Sequence, residues 1–205
     1  MSDLPFDAVL CDFDGVVRLW SPDGMTALDR AAGLPEGKLA AAAFRPDLLD
    51  AAVTGAISDD QWRAQVAEDL SESCGSAERA LDLVRQWSRL TGQVDTDVLN
   101  LLTDIRRRVP VVLVSNATTR LEKDLSALAL AGAFDAVLNT ARLGAAKPDP
   151  RVFEAAARLA DADPGRCLFV DDTLGHVEAA RAAGLTGHHY RQPGPLRGIT
   201  APLRQ

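Results

Sequence analysis

Short, unbroken apolar runs punctuate this chain at Ala8 to Cys11, Val109 to Val114, Ala136 to Leu138 and Cys167 to Val170, with a weaker candidate at Gly187 to Tyr190. Each is too short for a helix. Continuous rather than alternating apolar residues suit strands of a parallel sheet covered on both faces. Helical patterns lie between them. Asp95 is placed to cap a helix running to about Arg107, and Thr119-Arg120-Leu121-Glu122 reads as a capping box for a helix to about Ala131, stopped by Gly132. Pro150 is placed as a first helical residue for a run to about Ala160, and Thr173 to Ala183 is a further helix ended by Gly184. Strand–helix alternation of this kind predicts an α/β fold, a doubly wound parallel sheet with its strand C-termini along one edge. Ligands bind at that edge.

Residues 18–91 break the rhythm. They are Ala-rich and helical, with no convincing strand, and Ser58-Asp59-Asp60-Gln61 is a second capping box, for a helix through about Leu70. The expected organisation is an α/β core of residues 1–17 and 92–205 with a small helical insertion at 18–91. The tail after Arg191, rich in Pro and Gly, reads as irregular.

The balance of 22 Lys+Arg against 29 Asp+Glu gives a formal charge of −7. That argues against nucleic acid as a partner, since such binding wants a basic face. An anionic ligand would need a local positive centre. Three cysteines, Cys11, Cys74 and Cys167, fit neither a C-x-x-C nor a zinc pattern. The N-terminal Met1-Ser2-Asp3-Leu4-Pro5 lacks a signal-peptide layout and no apolar stretch approaches ~20 residues. The expectation is a cytoplasmic protein with no membrane partner, monomer or homodimer.

The polar residues that follow the apolar runs carry the candidate chemistry. Asp12 and Asp14 follow the first, Ser115 and Asn116 the second, and Asp171 and Asp172 the fourth, while Lys147 stands in Lys147-Pro148-Asp149 after Leu143-Gly144-Ala145-Ala146. Asp12 and Asp14 are two apart, so an extended backbone points them the same way. In a parallel sheet all these groups meet at one edge. Four carboxylates with one lysine would repel each other strongly, and a hard divalent ion on oxygen ligands, Mg²⁺ foremost, relieves this.

The order D-x-D-G-V, S-N, K-P-D, F-V-D-D resembles the four motifs of the haloacid dehalogenase-like (HAD) hydrolase superfamily, of phosphatase type. The resemblance covers nearly the whole chain outside 18–91, and a helical insert after the first motif is similar to the family's type-1 cap. The resemblance implies a Rossmann-like core and a Mg²⁺-dependent phosphohydrolase acting on a small phosphorylated metabolite through an aspartyl-phosphate, with a sugar phosphate as the leading candidate. On that reading Asp12 is the nucleophile and Asp14 the acid/base, its backbone carbonyl also facing the metal. Ser115, Asn116 and Lys147 bind the phosphoryl group, and Lys147 also neutralises Asp12. Asp172 is the direct acidic metal ligand, with Asp171 supporting it or binding through water. Arg18, Trp20 and Arg45 of the insert are candidate substrate contacts, whereas Trp62 and Trp87 read as helix-packing residues.

Asp14 favours phosphoester over carbon–halogen cleavage. Halide leaves unprotonated, but an alkoxide needs an acid. One departure from the family pattern stands at His176, where many relatives carry Asn. His188 and His189 read as ordinary. A phosphomutase of the same family shares every motif. A receiver-type regulatory domain and a catalytically silent phosphate-binding protein are alternatives; motif order, length and insert argue against the former, the intact carboxylates and Lys147 against the latter.

Overall fold

In a computed structural model, residues 4–204 are described, so Met1-Ser2-Asp3 of the acidic N-terminal stretch lie outside them. In chain order the elements are β1 (Ala8–Cys11), β2 (Arg18–Leu19), α1 (Gly24–Ala32), α2 (Lys38–Ala43), α3 (Pro46–Val53), α4 (Asp59–Cys74), α5 (Ala77–Trp87), β3 (Gln93–Val94) and α6 (Thr96–Ile105). There follow β4 (Val111–Ser115), α7 (Leu121–Ala127), β5 (Ala136–Asn139), α8 (Thr140–Leu143), α9 (Pro150–Leu159), β6 (Cys167–Asp171), α10 (Leu174–Ala182), β7 (Thr186–His189) and α11 (Pro193–Ile199).

Five strands form one sheet in the order β5-β4-β1-β6-β7, every neighbouring pair parallel. The expected α/β parallel-sheet fold is what the chain adopts. The period of two divides each central strand between two cores. Val9 and Cys11, Val111 and Leu113, and Leu168 and Val170 pack toward α6, α7 and α11. Leu10, Val112, Val114, Cys167 and Phe169 pack toward α9 and α10. Burial on both faces is why these runs are continuous rather than alternating.

Residues between β2 and β3 form five helices around a hydrophobic cluster of their own, with Leu39, Trp62, Val66, Leu70, Leu83 and Trp87 at its centre. Trp62 and Trp87 meet edge to face with ring centroids 5.0 Å apart, and Trp62 Nε1 donates to the Ala43 carbonyl. Truncating a side chain in such a position costs about 3–5 kcal/mol. Ser58 and Gln61 form the expected capping box. The ends of this segment are tied by an antiparallel pair, Arg18 with Val94 and Leu19 with Gln93, which the helical reading of 18–91 did not anticipate.

Three local expectations are corrected. Thr119 caps nothing in α7; its hydroxyl accepts the Asp59 N–H at 3.0 Å, while Thr118 Oγ1 donates to Asp59 Oδ1 at 2.8 Å. Both threonines therefore join the loop after β4 to the start of α4. Helix α7 stops at Ala127 rather than Ala131, because the chain turns at Ala129, at φ 57°, ahead of Gly132. The tail is not irregular: α11 and a 3₁₀ turn at Ala201–Arg204 follow Arg191, and they bury Leu196 and Leu203 against the α6 side of the sheet. Pro193 sits in the first turn, where a missing N–H costs nothing.

Candidate active site at the carboxyl edge of the sheet

The parallel register brings the strand ends together. Cys11 pairs with Leu113 on one side and Val170 on the other, so the next residues, Asp12 from β1 and Asp171 from β6, stand side by side. Ser115 ends β4. A cavity of about 530 Å³ opens over this edge, lined by Asp12, Asp14, Gly15, Ser115, Asn116, Lys147, Asp172 and His176, with Leu19 and Trp20 above.

Lys147 sits at the centre, 4% exposed. Its ammonium lies 2.8 Å from Asp12 Oδ1 and 2.7 Å from Asp171 Oδ2, and it donates to the Val114 carbonyl at 3.1 Å. Three donors thus meet three acceptors, which is all an ammonium has. Burial would pull the lysine down, but the charges of Asp12 and Asp171 outweigh it and hold its pKa above the ordinary range. Asn116 secures the loop that carries it. Its Nδ2 donates to the Lys147 carbonyl at 2.9 Å, and its Oδ1 accepts the Lys147 N–H at 2.8 Å. Both ends of the Asn116 amide are therefore spent on positioning Lys147.

The two buried carboxyls differ. Burial pushes Asp12 up, to about 6, against the attraction of Lys147 and with the repulsion of Asp171. Burial also raises Asp171, but the hydrogen bond from His176 and the Lys147 ammonium more than offset it, and its net shift is down. Asp171 accepts the Thr173 N–H at 2.8 Å and lies 3.2 Å from His176 Nδ1. His176 thus braces Asp171 from the first turn of α10. His189 Nε2 lies 2.9 Å from the Asp172 carbonyl oxygen and so also supports this turn, a role that reading it as ordinary did not capture.

Asp12, Asp171 and Asp172 each offer an oxygen, all within 4.8 Å of one another. An all-oxygen, all-carboxylate set suits a hard cation such as Mg²⁺. Asp171 already has its oxygens engaged, whereas Asp172 is exposed and makes one 3.2 Å contact with the Thr173 hydroxyl. The direct positions therefore fall most readily to Asp12 and Asp172. Gly15 makes room for this. At φ +81° it turns the chain after Asp14, and a Cβ there would stand 2.0 Å from Asp172 Oδ2.

Asp14 takes another orientation. Arg18 clasps it with Nε and Nη2 at 2.7 and 2.9 Å, and Trp20 Nε1 donates to it at 2.6 Å. Of the residues expected to touch substrate, Trp20 lines the cavity and Arg18 lines an adjoining one. Arg18 is nonetheless buried, stacked on Phe13 and Trp20, and paired to Asp14 and Asp124. Arg45 lies apart: it pairs with Asp47 and Asp69 and lines neither cavity. Its place on a surface of the insert follows from those two local carboxylates.

Comparison with known proteins agrees with this geometry. The family model for haloacid dehalogenase-like hydrolases matches residues 6–184. A phosphatase of Mycobacterium tuberculosis is 33% identical over 60% of this chain and 58% of its own length. Human haloacid dehalogenase-like hydrolase domain-containing protein 3 is 34% identical over 68% of this chain and 51% of its own. The chain spans about half the length of these curated relatives. A HAD family enzyme of Bacteroides thetaiotaomicron, solved in complex with magnesium and inorganic phosphate, shares the fold with a TM-score of 0.73 at 20% identity, over 93% of this chain and 98% of that one. Motif order, sheet topology and a family match across most of its length agree, and the chain belongs to the haloacid dehalogenase-like hydrolases.

Proposed function

We propose that this chain is a Mg²⁺-dependent phosphohydrolase that cleaves a small phosphorylated metabolite through an aspartyl-phosphate on Asp12. One observation carries the reading: three carboxylates and a fully engaged lysine, from three separate segments, converge at one cavity. The relatives named as phosphatases and the magnesium and phosphate in the Bacteroides complex support it.

Asp12 attacks phosphorus, and the bond from phosphorus to the ester oxygen breaks. Asp14, protonated and held in place by Arg18, gives that oxygen its proton. The resulting carboxylate then takes a proton from water, which attacks the same phosphorus and frees Asp12 and inorganic phosphate. Lys147 offsets the charge of Asp12 so that an anion can approach an anion. Ser115, with nearby main-chain N–H groups, donates to the phosphoryl oxygens. Asp12, Asp172 and the Asp14 main-chain carbonyl would hold Mg²⁺ directly, with Asp171 behind them, and the ion would draw charge from the phosphoryl oxygens. The helices of 18–91 act as a cap over the cavity.

Three free, buried thiols suit a reducing cytoplasm. No helix among the described residues is long and apolar enough to cross a membrane. The test is phosphate release from a panel of phosphate monoesters with Mg²⁺, paired with an isomer assay for phosphoryl return to a sugar. Turnover that ceases with EDTA and resumes with Mg²⁺ is expected; metal-independent turnover excludes the mechanism.

A further inference from the structure

A second cavity of about 1040 Å³ adjoins the first and shares Asp14, Leu19, Trp20 and Asn116 with it. A phosphate ester attacked by Asp12 would extend its leaving group into this space. The size is on the scale of cavities that hold drug-sized ligands.

Its wall on the side of the insert is formed by Met25, Phe44, Leu49, Val53, Trp62 and Trp87. Phe44 and Trp20 line it while 48% and 45% exposed, unusual for side chains of that size. The charges here are three of each sign, and each cation is already held. Arg18 pairs with Asp14 and Asp124. Arg63 pairs with Asp59 at 2.7 Å, donates to Ser88 Oγ at 3.0 Å and stacks on Trp87. Arg120 pairs with Asp124 at 2.8 Å and donates to the Ser88 carbonyl at 2.8 Å. The hydroxyls of Thr26, Thr91 and Thr118 donate to Asp23, Gly92 and Asp59. Ser21 and Gln93 are left to orient a polar atom or two.

A sugar entering this space would give up water at every hydroxyl and find the cationic and hydroxyl donors already engaged, which is costly. A second anionic group would find no unpaired cation. An apolar group loses nothing and buries its surface. We infer that the second cavity receives an uncharged apolar leaving group, so that the substrate is a phosphate monoester of an alkyl or aryl alcohol rather than a sugar phosphate or a phosphorylated acid. The inference rests on the phosphohydrolase reading above and narrows it.

The test compares hexyl phosphate, methyl phosphate and glucose 6-phosphate with Mg²⁺. All three leave as simple unactivated alcohols, so differences report binding. Hexyl phosphate is expected to exceed methyl phosphate in kcat/KM by on the order of 100-fold, with glucose 6-phosphate well below hexyl phosphate. Phe44→Gln, at an exposed position, should reduce the hexyl-to-methyl ratio about fivefold. In parallel, calorimetry with Mg²⁺ measures hexylphosphonate against methylphosphonate, neither of which turns over. Hexylphosphonate binding at least about tenfold tighter is expected. Equal affinity of the two phosphonates, or preference for glucose 6-phosphate over hexyl phosphate, overturns the inference and leaves the hydrolase reading standing. Tighter hexylphosphonate binding with no turnover of any ester upholds the apolar occupant of the cavity but sinks the hydrolase reading, and with it the ester as substrate.

Discussion

Arg18 holds both carboxylate oxygens of Asp14, its Nε 2.7 Å from Oδ1 and its Nη2 2.9 Å from Oδ2. The third nitrogen reaches Asp124 at 3.1 Å, on α7 of the core. Arg18 lies where the chain leaves β1 for the insert, so the orientation of Asp14 is tied to the strap that carries the helices. A planar fork makes that clasp, and an ammonium does not reproduce it. Arg18→Lys should therefore lower kcat about tenfold on alkyl phosphates, whose leaving groups need a well-placed acid. On p-nitrophenyl phosphate the change should be much smaller. An equal loss on both would show that Arg18 acts on something other than Asp14.

Asp14→Asn should slow hydrolysis of alkyl phosphates by roughly 10²–10⁴-fold, the usual worth of a positioned proton donor. The loss should shrink as the leaving alcohol becomes more acidic. A plot of log kcat against leaving-group pKa should be steeper for Asp14→Asn than for the native protein; parallel lines would remove Asp14 from the acid role.

The carboxylates of the candidate site were legible because their positions follow from strand geometry. Asp12 and Asp171 each end a continuous apolar run, and in a parallel sheet such ends share an edge. Arg18 was legible as a candidate substrate contact, not as the clasp on Asp14. Its grip on Asp14 depends on the turn at Gly15, which folds residue 18 back to hydrogen-bond with residues 13 and 15. The capping pattern at Thr119 misled for a related reason. Local hydrogen-bond capacity was present, but Asp59, sixty residues earlier, claimed it. The helix at Pro193–Ile199 was hidden by Pro and Gly, whose low propensity is outweighed by burying Leu196. His176 could be placed near the site by its offset from Asp172, but its contact with Asp171 required the pitch of α10.

Asp12 carries a pH signature in stability. Its folded-state pKa is raised by burial to about 6, above the ordinary carboxylate range. The fold thus favours its protonated form: that contribution is complete below about pH 4 and is lost as pH rises through about 6. Asn at this position carries no such loss. In EDTA, Asp12→Asn should gain on the order of 5 °C in Tm relative to native protein on going from pH 4.5 to pH 8. Calorimetry at the two pH values checks this, and a pH-independent difference would contradict the assigned shift.

Gly15→Ala places a Cβ 2.0 Å from Asp172 Oδ2 at a φ of +81°. The variant should lose about 1–3 kcal/mol in stability from the strained turn alone. Displacement of Asp172 should also raise the Mg²⁺ concentration for half-maximal activity by about tenfold or more. A native Mg²⁺ requirement in a folded Gly15→Ala protein would count against Asp172 as a ligand.

The most direct test of the covalent mechanism is to trap the intermediate. Protein mixed with an intact ester that it hydrolyses and Mg²⁺, quenched in acid within a single turnover and digested, should yield one phosphoryl group on the peptide bearing Asp12. It should be absent in Asp12→Asn and in EDTA. Phosphate release with no label on that peptide at any quench time, or undiminished turnover by Asp12→Asn, would contradict the account at its centre.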